Sequence, residues 1–300
     1  MSGSALLSKP LPLPAVEGSY ATAMRLLDLT SAPPAQRVES LTTIPGMELL
    51  AKFGQAVHTS PVIDNEILTS APTYASLADP SSMPGLAWCE ELMLGDCGFD
   101  GNIMFLFLGA RKSGIGASFS SSLRSSLSSA AADSLLDLYG IGTDTPDDPA
   151  FMAVLKFAND IAFYAPTLAY AKTFAQAQKK VWMYRFNELN PWEGQWKGTA
   201  NHVLDIAFLF QNFNEFLSEE QKGVAKGFAE AFVKFVNGRP PWEEEWKIQN
   251  GKAMVMEEGR IKVVEDKPES TGRNARFLEI VESVGFDAVD AAWTSFLRGG

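Results

Sequence analysis

Lys197-Gly198-Thr199-Ala200-Asn201-His202-Val203-Leu204-Asp205 follows an apolar run, Val181-Trp182-Met183-Tyr184-Arg185-Phe186, and an aromatic-rich loop from Asn187 to Asn201. The run is short, apolar and rich in aromatic side chains, so it reads as a strand. Val203 to Phe210 reads as a helix. Upstream lies a second short apolar run, Glu91-Leu92-Met93-Leu94-Gly95-Asp96, which ends in Cys97-Gly98-Phe99-Asp100-Gly101. Each strand leads into a loop with a titratable residue, and helices separate the two. That pattern predicts an α/β sheet, in which ligands sit beyond the carboxyl ends of the strands.

Outward from these runs, Pro10, Pro12 and Pro14 predict an extended or irregular stretch over 1–18. Tyr20 to Leu29, Gln36 to Ile44 and Gly46 to Lys52 read as helices. Pro61 to Leu68 reads as a strand or hairpin around Asp64-Asn65. Gly101 to Leu108 starts a helix. Residues 113–130 are serine-rich and read as a solvated loop or polar helix face. Phe151 to Gln178 is helical, with Pro166 as a kink or junction. Ser218 to Val236 is a long amphipathic helix, Met254 to Val264 a hairpin turning at Glu258-Gly259, and Arg276 to Leu297 a C-terminal helix. No repeat or linker is visible, so 1–300 reads as one continuous unit.

The 300 residues suffice for a sizeable core, with 46% hydrophobic and 20% charged residues. A formal net charge of −11 argues against phosphate-backbone binding. No apolar run is long enough for a membrane span. Met1-Ser2-Gly3-Ser4 has no basic n-region, so no signal peptide is visible and the compartment stays open. Cys89 and Cys97 are the only cysteines, read as buried thiols rather than a disulfide. No metal, nucleotide or flavin signature is present, so no cofactor is expected.

A histidine base needs an acid that fixes its tautomer and stabilises the imidazolium. His202 sits in a loop after the stronger strand, with Asp205 placed to brace the loop or cap the helix. Asp100, followed by Gly101 where the chain turns, suits the acid; it also suits an N-cap of the following helix. Asp96 is the rival acid. His58 has no constellation around it and reads as structural. Trp192, Trp196 and Trp242 read as packing residues or pocket walls. A nucleophile is missing: no G-x-S-x-G elbow occurs, and Cys97 lies inside the acid loop itself.

Together these segments resemble the C-terminal half of a type-B carboxylesterase, the family that includes cholinesterases and fungal extracellular lipases. Met1-Ser2-Gly3-Ser4 resembles the strand end after the nucleophile elbow. Pro61-Val62-Ile63-Asp64 resembles the family's Pro-Val-x-Asp-Gly, with Asn65 replacing glycine. Gly95 to Gly101 resembles the acid loop, which puts the acid at Asp100, an aspartate where glutamate is usual. Asp160-Ile161-Ala162-Phe163 with Pro166, then Val181 to Phe186, resembles the helix and strand before the histidine. Gly198 to Asp205 resembles the histidine loop, and Asn237-Gly238 through Pro241-Trp242 the family's Asn-Gly-x-x-Pro-Trp. The likeness covers most of 1–265.

The resemblance implies the C-terminal half of an α/β-hydrolase fold: one partial domain over 1–300, an incomplete central sheet and flanking helices. It implies a carboxylic-ester hydrolase acting on small-molecule esters, xenobiotic or secondary-metabolite, with Asp100 as acid, His202 as base and Asp205 in support. The family half that carries the oxyanion glycines, the nucleophilic serine and the first strands is not in the sequence. Half a sheet exposes an edge and an apolar face, so self-association or pairing with a missing N-terminal half is expected. The alternative is an inactive remnant or an interaction protein.

Overall fold

The computed structural model describes residues 9–54, 56–57 and 60–299. Met1 to Ser4 and His58 lie outside them. The chain divides into two compact units, Ser8–Pro72 and a larger one comprising Thr73–Gly300.

The smaller unit contains β1 (Leu11–Pro12), α1 (Leu13–Leu26), α2 (Pro34–Thr43), α3 (Gly46–Phe53) and β2 (Val62–Ile63). The extended stretch expected over 1–18 gives way to helix at Leu13. Pro12 is the N-cap of α1, and Pro14 falls in the first turn, where a missing N–H costs nothing. Of the strand or hairpin expected over 61–68, the structure has the strand, Val62–Ile63, followed by a turn. Val62-Ile63 pairs in parallel with Leu11-Pro12. Asp64 Oδ1 then accepts the N–H groups of Glu66, Ile67 and Leu68, wrapping the chain around one carboxylate.

The larger unit runs α4 (Tyr74–Ala78), β3 (Glu91–Cys97), α5 (Phe105–Leu108), α6 (Ile115–Ser126), α7 (Ser129–Tyr139), α8 (Asp147–Asn159), α9 (Ala165–Gln176), β4 (Lys180–Phe186), α10 (Leu204–Phe210), α11 (Glu219–Val236), β5 (Lys252–Glu257), β6 (Arg260–Glu265), α12 (Pro268–Thr271), α13 (Ala275–Val284) and α14 (Phe286–Leu297). Its sheet has the order β3-β4-β5-β6. The first three strands are parallel and β6 returns antiparallel. Alternation along each strand sends side chains to opposite faces. Met93, Trp182, Tyr184, Phe186, Met254 and Met256 pack with Leu204 and Phe208 of α10 and Val224 and Phe228 of α11. Leu94, Val181, Met183 and Ala253 pack with Ala171 and Phe174 of α9. The sheet is therefore covered by helices on both faces, as parallel strands require.

A second core is purely helical. Phe119 of α6, Phe157 of α8 and Trp293 and Phe296 of α14 meet edge-to-face or tilted, with ring centroids between 4.9 and 6.5 Å apart. Of the two readings of 113–130, solvated loop or polar helix face, the helical one holds. The serines belong to α6 and α7, whose buried faces carry Phe119 and Leu123. Ser128 caps α7 by accepting the Ala131 N–H. The C-terminal helix is broken at Gly285, whose φ of 99° leaves the helical region.

Candidate active site

Two loops leave the carboxyl ends of β3 and β4 and are laced together by backbone bonds. Gly98 N–H donates to Phe186 O at 2.8 Å, and Phe99 N–H to Ala200 O at 2.8 Å. Phe99 and Asn201 form a parallel bridge, so the pairing of β3 with β4 continues, interrupted, into the loops. His202 N–H donates to Asn102 Oδ1 at 2.8 Å. These bonds set His202 beside Asp100.

The Asp100 Oδ1 and His202 Nδ1 atoms are 2.7 Å apart. Asp100 Oδ2 accepts the Cys97 N–H at 2.6 Å. The carboxylate thus points back toward β3 and across to the imidazole, and does not cap the turn that follows it. Asp100 is fully buried, whereas the His202 side chain keeps 19% of its surface. Burial pushes the Asp100 carboxyl up to about 6, against the pull of the His202 hydrogen bond. The other ring nitrogen, Nε2, has no hydrogen-bond partner among the described residues. Beside His202 lies a cavity of about 480 Å³, walled by Trp192, Ile206, Phe210, Phe213 and Phe216 among others, and no hydroxyl or thiol lines it.

Asp205 is buried in the first turn of α10, where Oδ2 accepts the Tyr184 hydroxyl of β4 at 2.9 Å. It ties the helix after His202 to the strand before it. Trp192 packs edge-on against Phe213, Trp196 against Phe99 and Phe105, and Trp242 against Trp182.

Asp96 faces elsewhere. It is the register partner of Arg185 across β3 and β4. Its Oδ1 accepts Arg185 Nη1 at 2.8 Å and Arg273 Nη2 at 3.0 Å, and Oδ2 accepts Arg273 Nε at 3.1 Å. Asp266 completes the group by taking Arg185 Nε and Nη2 at 3.0 and 2.9 Å. Burial raises the Asp96 carboxyl, but the Arg185 and Arg273 guanidiniums outweigh it and hold it below the usual range. A carboxylate held by two guanidiniums is not available to an imidazole.

Asn102, Asn159, Phe163, Arg185 and Arg273 were not singled out from the sequence. A signal existed for one pair: Asp96 and Arg185 each interrupt an otherwise apolar strand, and buried opposite charges seek each other.

An acid–imidazole pair beyond the carboxyl ends of adjacent parallel strands, with helices on both faces, is the layout of an α/β-hydrolase. Residues 1–271 match the model of the carboxylesterase family, and the chain belongs to that family. Among solved structures it is similar to a PNB esterase, with TM-score 0.57 and 18% identity, covering 88% of this chain and 54% of that one. It is likewise similar to a carboxylesterase of Geobacillus stearothermophilus, with TM-score 0.55 and 19% identity, covering 84% and 54%. Lipase 1 of Yarrowia lipolytica is 24% identical over 105 residues, 35% of this chain and 21% of the lipase. The chain thus spans about half the length of the solved structures it matches.

Proposed function

We propose that this chain supplies the acid and base of a serine-type carboxylic-ester hydrolase. The observation that carries this reading is the 2.7 Å contact of a fully buried Asp100 with Nδ1 of His202, whose Nε2 is left free beside a cavity. Nε2 takes the proton of a hydroxyl as that oxygen attacks the ester carbonyl. The imidazolium so formed is stabilised by Asp100. It then gives its proton to the departing alkoxide, and water repeats the cycle on the acyl-enzyme.

In this reading the hydroxyl comes from a residue other than the described ones that line the cavity next to His202. The apolar walls suit esters with an aryl or alkyl substituent, xenobiotic or secondary-metabolite in kind. Asp205 supports the pair by anchoring α10 to β4 through Tyr184. The 1–300 chain is read as one partial α/β-hydrolase domain.

The test is hydrolysis of an aryl acetate by the chain alone and by the chain joined to a family segment that contains G-x-S-x-G. The joined form is expected to be active. Asp100→Asn should lower its kcat by orders of magnitude, because the amide stabilises the wrong tautomer. An active Asp100→Asn or His202→Gln form sinks the reading. Turnover should rise with pH through a limb that belongs to the acid–imidazole pair jointly.

A second reading, an inactive interaction protein, is favoured by the exposed aromatic rings Phe210, Phe213 and Phe216. It predicts that the joined form binds but never turns over.

A further inference from the structure

Between α8 and α9 the chain forms a π-helical turn, Asp160–Tyr164. Pro166 stands two residues beyond it, in the first turn of α9. Its ring would clash with the Ala162 carbonyl in a regular α-helix, and it has no N–H to bond it. A π turn widens the helix and relieves that conflict, and such turns gather at functional sites.

This turn and the residue before it touch the acid loop next to Asp100 and the ring of His202. Asn159 Oδ1 accepts the Gly101 N–H at 3.2 Å, next to Asp100. The two segments lie so close there that a Cβ on Gly101 would meet Leu155 O at 2.0 Å and Asn159 N at 2.6 Å. Four residues on, the Phe163 ring stands edge-on to the His202 imidazole, with centroids 5.3 Å apart. Tyr164 lies under the Arg185 guanidinium at 5.1 Å. The turn is itself held from behind. The Tyr74 hydroxyl donates to Ile161 O at 2.7 Å, and Tyr139 and Asn274 donate to Asp160.

We propose that the π turn is the positioning element of the pair. Asn159 fixes the acid loop through Gly101, and Phe163 fixes the plane of the His202 ring; neither touches substrate. In a regular helix Asn159 and Phe163 would share one face a full turn apart. Here one serves the acid loop and the other the base. The proposal rests on the reading of Asp100 and His202 as acid and base.

The experiment is proton NMR of the full chain, following the low-field Nδ1 proton that Asp100 holds on His202. There are two histidines, and a His58→Gln form assigns the signal. Asn159→Ala and Phe163→Leu are compared with Leu135→Ala, a core truncation in α7. Exchange of the Nδ1 proton with water is expected to quicken roughly three- to tenfold in Asn159→Ala and Phe163→Leu, the scale of one lost contact, and to hold in Leu135→Ala. Unchanged exchange in both positioning variants overturns the proposal. Should Asn159→Ala not fold, Phe163→Leu alone decides. A missing signal in the wild type, or one that survives Asp100→Asn, sinks instead the acid–base reading beneath it.

Discussion

Asp96 and Asp100 stand four residues apart, one near the end of β3 and one in the loop after it, both fully buried, and answer to different partners. Asp96 is clasped by Arg185 and Arg273, and Asp100 meets the imidazole of His202. The same residue type is held below its ordinary range in one place and pushed up to about 6 in the other. Burial acts on both. What differs is whether two permanent charges or one titratable ring opposes it.

Asp96→Asn should therefore destabilise the larger unit strongly. It strips two buried guanidiniums of their shared carboxylate, and breaking a buried pair costs about 3–5 kcal/mol. Because the folded carboxyl is depressed, its contribution is fully present above the unfolded value of 3.8 and is lost as pH falls through the lower folded value. Urea unfolding at pH 7 and pH 3 should show a smaller gap between wild type and variant at pH 3, by about 1 kcal/mol.

Asp160 predicts the reverse slope. Burial drives it up to about 6, against the hydrogen bonds of Tyr139, Asn274 and Asn159. A raised folded carboxyl contributes stability that is complete below 3.8 and lost as pH climbs through about 6. A shift of this size is worth up to roughly 3 kcal/mol. Asp160→Asn should flatten the fall in urea midpoint between pH 4 and 7. Asp100, with the same sign, keeps part of the slope.

Two glycines separate close approach from backbone freedom. Gly101→Ala forces a methyl into Leu155 O and the Asn159 backbone. It should cost several kcal/mol, or shift the acid loop and erase the low-field His202 signal. Gly223→Ala lies in α11 with nothing within 4 Å of the new methyl. It should raise stability by about 0.5–1 kcal/mol, the helix preference of alanine over glycine. Thermal unfolding of the two variants side by side checks both.

The rings of Phe210, Phe213 and Phe216 stand out from the surface around α10. The isolated chain should self-associate through them. Phe210→Glu with Phe216→Glu should shift sedimentation toward the monomer without lowering the melting temperature. A monomeric wild type at micromolar concentration refutes this.

The parts that place the site were readable from the chain. The apolar runs at 91–96 and 181–186 are strands, and the loops after them bring Asp100 to His202. These features follow from strand periodicity and from residue types that polar chemistry requires. One misreading and one open choice have local causes. Pro12 and Pro14 look like breakers, but a helix tolerates them at its start. The serines of 113–130 leave loop and polar helix face open, and Phe119 and Leu123, which recur at helical spacing and are buried, decide for the helix. Other contacts are tertiary. Asn159 reaching Gly101 depends on how α8 packs against the acid loop, and no window along the chain contains both.

A π turn is one extra residue lodged in a helix. Removing one residue between 160 and 164 would let α8 and α9 fuse into an unbroken rod, and everything after the deletion would swing by about 100°. Pro166 guards against that shortcut, since the fused rod would have to swallow its ring. Natural length variation should therefore be scarce in this stretch, while the exposed ends of α6 and α7 remain free to grow or shrink.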